Sequence, residues 1–358
     1  MSIVRNIVHS RRRKRIANTN GLLTADLIKK ADEPACTEAA LALPIGIPAY
    51  LASRLQGRNT NDPLIRQFVP NPSENTLMEN EFPDPIGDRK HSPVSGIIHR
   101  YPDRVLLMPV LACPVYCRFC FRRHSVGDGL LTDEKLNTAF SYIEENPDIW
   151  EVILTGGDPL ILSPSRLSKI LIRLNKIPHV RTIRIHSRVP ALDPIRIDNE
   201  MINALKTKKP IWLVLHSNHA DELDSKASVA IAKLIDNGIP MLSQTVLLKG
   251  VNDTPKDLEN LFRTLIENRV KPYYLHHGDL AKGTSHFRTT LSSGRKLMKW
   301  LRRRLSGIAQ PVYVLDIPGG HGKVPAGHCW IESKSEGEWI AEDISGKKHK
   351  YFDEIEPN

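Results

Sequence analysis

From residue 104 onward, short apolar runs rich in β-branched residues alternate with longer stretches whose apolar positions recur at helical spacing, the pattern that repeated βα units produce. Six strands are predicted, near Val105 to Leu111, Glu151 to Thr155, Arg181 to His186, Ile211 to His216, Met241 to Leu247 and Lys271 to His276, with a last strand near Val312 to Asp316. Helices fill the gaps. Thr132 to Asn146 opens on a capping residue and stops at Pro147, and Asn237-Gly238 ends a helix over Ser225 to Asp236. Residues 1–100 have another texture, with helical patches to about residue 56 and a proline-rich passage from Pro63 to Pro93. Prolines restrict the backbone and interrupt hydrogen-bonded ladders, so this part is expected to be an ordered collar or lid rather than a second core. The expected division is 1–100 collar, 101–327 barrel and 328–358 C-terminal tail.

In barrels of parallel strands the active site lies at the strand carboxyl ends, and the unusual polar residues fall there. Cys113 follows the first strand, Gly156-Gly157-Asp158 the second, His186-Ser187-Arg188 the third and His216-Ser217-Asn218-His219 the fourth. Gln244 lies on the fifth, Asp279 follows the sixth and Asp316 ends the last. A polar residue such as Gln244 between Leu242 and Val246 costs free energy unless it finds a partner, and a bound ligand is one. Any one of these positions alone would read as a satisfied core polar group; their shared location points to a site.

The chain has 358 residues, enough for one large domain with an extension. Its apolar stretches are broken by charge or proline well short of the roughly 20 residues a spanning helix needs, and Met1 to Val8 is too short and polar for a secretory core. The net charge of +10 is concentrated partly in Arg11-Arg12-Arg13-Lys14-Arg15 and Arg302-Arg303-Arg304. The first run lies near a terminus, and the second ends a helix-like segment where cations face the dipole favourably. Neither interleaves aromatics that would stack on bases, so a solvated basic face is expected and nucleic acid is not, with weak contact to an acidic protein or RNA left open.

Cys113, Cys117 and Cys120 stand in Cys-Pro-Val-Tyr-Cys-Arg-Phe-Cys with no fourth cysteine nearby. Three thiolates are an incomplete iron–sulfur ligand set: a four-iron cube so held keeps one iron open to bind and reductively cleave a small molecule. Structural zinc is the alternative, but it wants four ligands, and the nearby candidate His124 matches no common spacing. Cys36 and Cys329 are isolated, which argues against a disulfide scaffold and for a reducing compartment, by default the cytoplasm.

The segments Arg-Tyr-Pro-Asp-Arg-Val-Leu-Leu (100–107) and Cys-Arg-Phe-Cys-Phe-Arg-Arg (117–123) resemble the radical S-adenosylmethionine (SAM) enzymes, specifically the lysine 2,3-aminomutases. So do Leu-Thr-Gly-Gly-Asp-Pro-Leu (154–160), Ile-His-Ser-Arg-Val-Pro (185–190), Gln-Thr-Val-Leu-Leu-Lys-Gly-Val-Asn-Asp (244–253), Pro-Tyr-Tyr-Leu (272–275), His-Phe-Arg (286–288) and Asp-Ile-Pro-Gly-Gly-His-Gly-Lys (316–323). The resemblance runs collinearly over about residues 60 to 327. It implies an α/β fold, a partial (β/α)6 barrel of the radical SAM type with a helical N-terminal extension. It also implies a 4Fe-4S cluster on Cys113, Cys117 and Cys120, S-adenosyl-L-methionine, and pyridoxal 5'-phosphate (PLP) on Lys323.

Read from the residues, Lys323 follows the glycine-rich Pro318-Gly319-Gly320-His321-Gly322 and is expected on a mobile loop, where a lysine can form a Schiff base. A phosphate-cradling loop does not fit, since the spacing is short and Val324 replaces the hydroxyl residue. Two glycines before Asp158 let backbone approach a ligand, and a carboxylate can accept from an ammonium; by resemblance this segment contacts the amino group of SAM, with His216 and Gln244 helping. Free lysine with one amine engaged leaves an anion and a distant ammonium to be matched. By resemblance Arg122 takes the carboxylate, and Asp279 and Asp316 take the ammonium.

The implied activity is that of an isomerase interconverting L-α-lysine and β-lysine by a radical 1,2-amino shift, with an electron donor as partner and the collar as a cover against water and oxygen. The longer aminomutases bind zinc through a C-terminal cysteine-bearing extension; no cysteine follows Cys329 here, so that zinc is not expected. The shorter build resembles the aminomutases that supply β-lysine for modifying elongation factor P. Alternatives are a radical enzyme of another reaction, such as a glutamate aminomutase or a dehydratase, or a non-enzymatic iron–sulfur or zinc protein binding RNA. Two aspartates in the site argue against acidic substrates.

Overall fold

A computed structural model describes residues 15–127 and 129–354; the basic run lies outside the described residues except for Arg15, as does the segment Met1 to Val8. Nine strands form one curled sheet: β1 (Ile97–Tyr101), β2 (Arg104–Val110), β3 (Glu151–Gly156), β4 (Thr182–Ser187), β5 (Ile211–His216), β6 (Met241–Val246), β7 (Lys271–His276), β8 (Val312–Asp316) and β9 (Lys323–Pro325). Spatial order follows chain order. Strands β2 to β8 are parallel to their neighbours, while β1 pairs antiparallel with β2 and β9 antiparallel with β8. The six expected units and the last strand are present within about a residue of their predicted bounds.

The two antiparallel edges are additions. β1 runs through Ile-Ile-His-Arg-Tyr and turns at Pro102-Asp103 into β2, so the barrel begins inside what the proline-rich texture suggested was collar. β9 is three residues long, too short to carry a periodic signal. It also corrects the expectation of a mobile loop at Lys323, because the residue pairs in register with Asp316. Gly319, Gly320 and Gly322, at φ of 82°, 82° and 93°, make the turn that returns the chain, a conformation open to glycine at little cost.

Helices cover the outer face through one repeated stripe. Asp133–Glu145 buries Leu136, Ala139, Phe140 and Ile143; Pro164–Lys176 buries Leu167, Ile170, Leu171 and Leu174; Pro255–Glu267 buries Leu258, Leu261, Phe262 and Leu265. This i, i+3, i+4, i+7 spacing keeps four side chains on one face, and each fully buried Leu or Ile contributes about 1.5–3 kcal/mol over exposure. Thr132, Ser163 and Thr254 cap the three N-termini with their side chains.

The N-terminal helices Thr19–Thr24, Glu33–Ala42, Ala49–Leu55 and Pro63–Phe68 pack into the same buried cluster as Val105 and Leu107, through Leu22, Cys36, Leu51, Leu64 and Phe68. The proline-rich passage then crosses the open side of the curl. Gly319 N donates to Pro85 O at 3.1 Å, and His91 Nε2 lies 3.0 Å from Gly320 O. The sheet edges approach each other there, with Lys323 N donating to the Tyr101 hydroxyl at 3.0 Å. The segment expected as a tail carries a three-stranded antiparallel meander, Ile331–Ser335, Glu338–Glu342 and Lys348–Phe352, tied to the helix Leu291–Arg304 by Lys299 and Glu342. Among the described residues no helix is long and apolar enough to cross a membrane.

The collar and the cysteine loop share one fully buried ion-pair cluster. Arg118 grips Glu74 with two parallel bonds, Nε to Oε1 at 2.9 Å and Nη2 to Oε2 at 2.7 Å, and Arg123 Nη2 adds a third at 2.8 Å. Removing one member of a buried pair strands the others. Glu74→Ala is expected to cost about 3–5 kcal/mol of unfolding free energy, read as a lower urea midpoint, whereas Arg263→Ala, which breaks an exposed pair with Glu259, should cost under about 1 kcal/mol.

Candidate active site

Alternation along each strand sends every second side chain into the curl, and the loops after the strands hang over its carboxyl end. The resulting cavity has two adjoining lobes that share several lining residues. Cys113, Cys117, Cys120, Gly157, Asp158 and Arg188 line the first; Arg100, Tyr274, His276, Asp316 and Lys323 line the second. Arg122, His186, His216, Gln244 and Asp279 line both. Every site residue predicted from the sequence thus borders one continuous space.

The three thiols face the first lobe yet are enclosed by protein, and this burial pushes their pKa values up: Cys113 well above the ordinary range, Cys120 to about 11, and Cys117 against the opposing pull of the Arg188 guanidinium. Among the described residues no three His, Cys, Asp or Glu side chains gather closely enough to hold a single metal ion. His124 lines neither lobe and sits under the influence of Arg89 and Asp84. The donor set is therefore three sulfurs around a volume, with Arg188 Nη1 donating to Cys117 Sγ at 2.9 Å, which suits an anionic cluster.

Asp158, expected to be able to accept from an ammonium, is engaged by the fold's own donors. Oδ1 accepts from Leu160 N at 3.0 Å and Ser187 Oγ at 2.8 Å, and Oδ2 accepts from Arg188 N at 2.8 Å. Burial raises its pKa while these donors lower it. It fastens one strand-end loop to the next and leaves the backbone of Gly156 and Gly157 toward the lobe. A Cβ on Gly157 would stand 2.0 Å from Ala112 O, so no other residue lets these segments pack as closely.

In the second lobe Lys323 Nζ donates to both oxygens of Asp316, at 2.8 and 2.7 Å, and His276 Nδ1 lies 3.0 Å from Asp316 Oδ2. Burial alone would raise the Asp316 pKa, but His276 and Lys323 hold it well below the carboxylate range. Asp279, enclosed by protein and close to Asp316, is pushed up to about 7, with Lys323 and Arg122 opposing. Arg122 Nε donates to Asp88 Oδ2 at 2.7 Å, and Asp88 also takes Arg100 Nη2 at 3.0 Å, so a collar residue aims the arginine.

The sequence marked His186 only as a polar strand end without a role, and did not single out His276, Arg100 or Arg184. His186 Nδ1 lies 2.9 Å from His216 Nε2, and burial drives both rings toward the neutral form, His216 down to about 3. His186 Nε2, His276 Nε2, Arg100 Nε and Arg184 Nε are buried with no protein partner. Buried polar atoms are rarely left so, and these face lobes able to hold groups that would pair with them. Arg184 and His186 alternate with isoleucines on β4, the same signal that marked Gln244.

Comparison with known proteins agrees with this geometry. A model of the radical SAM superfamily matches residues 107–265. The L-lysine 2,3-aminomutase of Clostridium subterminale is 36% identical over 345 residues, 96% of this chain and 83% of that protein. That of Methanococcus maripaludis is 41% identical over 333 residues, 91% and 76% of the two chains. The chain belongs to the lysine 2,3-aminomutase family. It is an isomerase of the radical SAM type whose cofactors are a 4Fe-4S cluster, S-adenosylmethionine and pyridoxal phosphate. The family's relatives include the glutamate 2,3-aminomutase of Clostridioides difficile, 33% identical over 342 residues, 95% and 81% of the two chains.

Because neutral thiols are poor nucleophiles, the cluster-free protein at pH 8 should alkylate with iodoacetamide first at exposed Cys329, with the triad at least about tenfold slower. Mass mapping of a time course that found the triad modified as fast as Cys329 would contradict the burial argument.

Proposed function

We propose that the chain interconverts L-α-lysine and β-lysine. The observation that carries this reading is the pair of carboxylates, Asp279 and Asp316, beside Lys323, with the guanidinium of Arg122 bordering the same lobe. An amino acid with a cationic side chain is complementary to that arrangement, and a second carboxylate on the substrate would meet two aspartates.

Cys113, Cys117 and Cys120 would hold the cluster, the Gly156-Gly157 backbone with His216 and Gln244 would hold SAM, and Lys323 would carry pyridoxal phosphate, with Arg100, Arg104 and Arg184 in the same lobe suited to its phosphate. When bound, the cluster and SAM supply a hydrogen-abstracting radical, and pyridoxal phosphate supplies the conjugated system across which an amino group can move. The chain's own part is placement. Arg122, steadied by Asp88, binds the substrate carboxylate, while Asp279 and Asp316 bind its far ammonium. Without substrate, Lys323's own ammonium occupies Asp316; once that nitrogen is engaged elsewhere, the carboxylate is released for the substrate. The collar over the open side keeps water out.

The same reading calls for a one-electron donor, a reducing compartment such as the cytoplasm, and, through the likeness to the shorter aminomutases, use of β-lysine in elongation factor P modification.

Anaerobically reconstituted protein should convert lysine to β-lysine and leave glutamate unchanged, followed by chromatography of derivatised products. Lys323→Ala and Asp316→Asn should each lower kcat/KM by at least about 100-fold, a loss of about 2.7 kcal/mol; full turnover in both variants would defeat the assignment. A carboxyl with pKa raised to about 7 is protonated below that value and pairs with an ammonium only above it. The KM for lysine is therefore expected to be flat above pH 7.5 and to climb as pH falls toward 6, by up to about tenfold per unit. In Asp279→Asn this slope should vanish, leaving a uniformly high KM.

A further inference from the structure

Arg188 binds neither substrate nor coenzyme in the proposed reaction, yet its side chain is held by several partners. It follows β4 and is buried. Its Nη1 donates to Cys117 Sγ at 2.9 Å, and its Nη2 donates to Glu222 Oε2 at 2.5 Å and to Gln67 Oε1 at 3.2 Å. Glu222 is fixed in turn: Oε1 accepts the main-chain N–H groups of Asn218 at 2.8 Å and His219 at 3.0 Å and the amide of Gln67 at 3.1 Å. The guanidinium carbon also lies 5.1 Å from the centre of the Phe68 ring and 5.4 Å from that of Phe119. The ends of β4 and β5 and a collar helix thus combine to aim one N–H at one thiol.

We infer that Arg188 is a positioning residue that raises the reduction potential of the cluster through a directed hydrogen bond to the sulfur of Cys117. The inference rests on the triad being the cluster site. The physical reason is that Glu222 neutralises the guanidinium, so the pair adds no net charge, while the N–H at the sulfur favours whichever cluster state is more negative. Hydrogen bonds to the sulfurs are among the factors that set iron–sulfur potentials. The redox step concerned is uptake of one electron from an external one-electron reductant, taking the cluster from the 2+ to the 1+ level with no atom transferred.

The alternative is that Arg188 only compensates buried Glu222. The double variant Arg188→Met/Glu222→Gln separates the two, since it removes both charges together and leaves net charge unchanged. Full-length protein, reconstituted anaerobically without SAM, would be titrated potentiometrically while the electron paramagnetic resonance of the reduced cluster is followed. At the potential where wild type is half reduced, the ratio of reduced to oxidised cluster should fall at least tenfold, about 59 mV for a one-electron couple, with iron content unchanged. Should the double variant fail to retain iron, Arg188→Lys carries the test. It keeps a cation beside Glu222 but replaces the fork by a shorter ammonium, and a shift of the same sign is expected. A ratio within twofold of wild type, in whichever variant loads iron, overturns the inference. That outcome with lysine conversion intact would remove only the role of Arg188, whereas a wild-type protein that binds no iron would remove the reading beneath it.

Discussion

A carboxylate with no access to water, Glu74, is what the arrangement of the active site depends on. Arg118 and Arg123 flank the last cysteine of the triad, and both spend their guanidinium groups on this one residue of the proline-rich passage. Arg118 also donates to the carbonyls of Leu43 at 3.0 Å and Pro44 at 3.2 Å, and Arg123 to that of Gly283 at 3.0 Å. The loop of three thiols buries Val115 and Tyr116, yet such non-directional packing does not by itself fix the loop's geometry. Ionic bonds in a dry interior do so instead, and there they are stringent about geometry as well as strong.

The same device recurs toward the other lobe. Asp88 joins Arg122 to Arg100, and Asp84 accepts the main-chain N–H groups of Asp88 and Arg89, both at 2.9 Å. Gln67 enters the network of Glu222, Arg188 and Asn218. The collar therefore reaches the site at three points, each time through a polar side chain whose counterpart belongs to the barrel. Its helices bury apolar stripes like any others; its particular contribution is orientation.

What the sequence disclosed follows from how local each signal is. Strand and helix positions come from periods of two and about 3.6, which a stretch of five or more residues can show, so β2 to β8 were legible, while three-residue β9 was not. Gln244 could be singled out because it interrupts an apolar strand, and the cysteines because their spacing is chemically restrictive. Glu74 could not, since its partners lie 44 and 49 residues away and nothing around it is periodic. Asp158 was recognised as special, but composition cannot tell whether a carboxylate turns toward a ligand or back into the fold. Its neighbours Ser187 and Leu160 decide that. His276 lay in plain sight at the end of a predicted strand, and its importance emerges only from sharing Asp316 with Lys323.

The hydrogen bond from Lys323 to the Tyr101 hydroxyl joins the first stave of the sheet to the last, with Gly319 and Gly320 leaning on Pro85 and His91 across the same seam. The lysine expected to bear the coenzyme is therefore a fastening of the barrel itself. A chain still unwrapped by its N-terminal third would lack that fastening and the Pro85 and His91 contacts beside it.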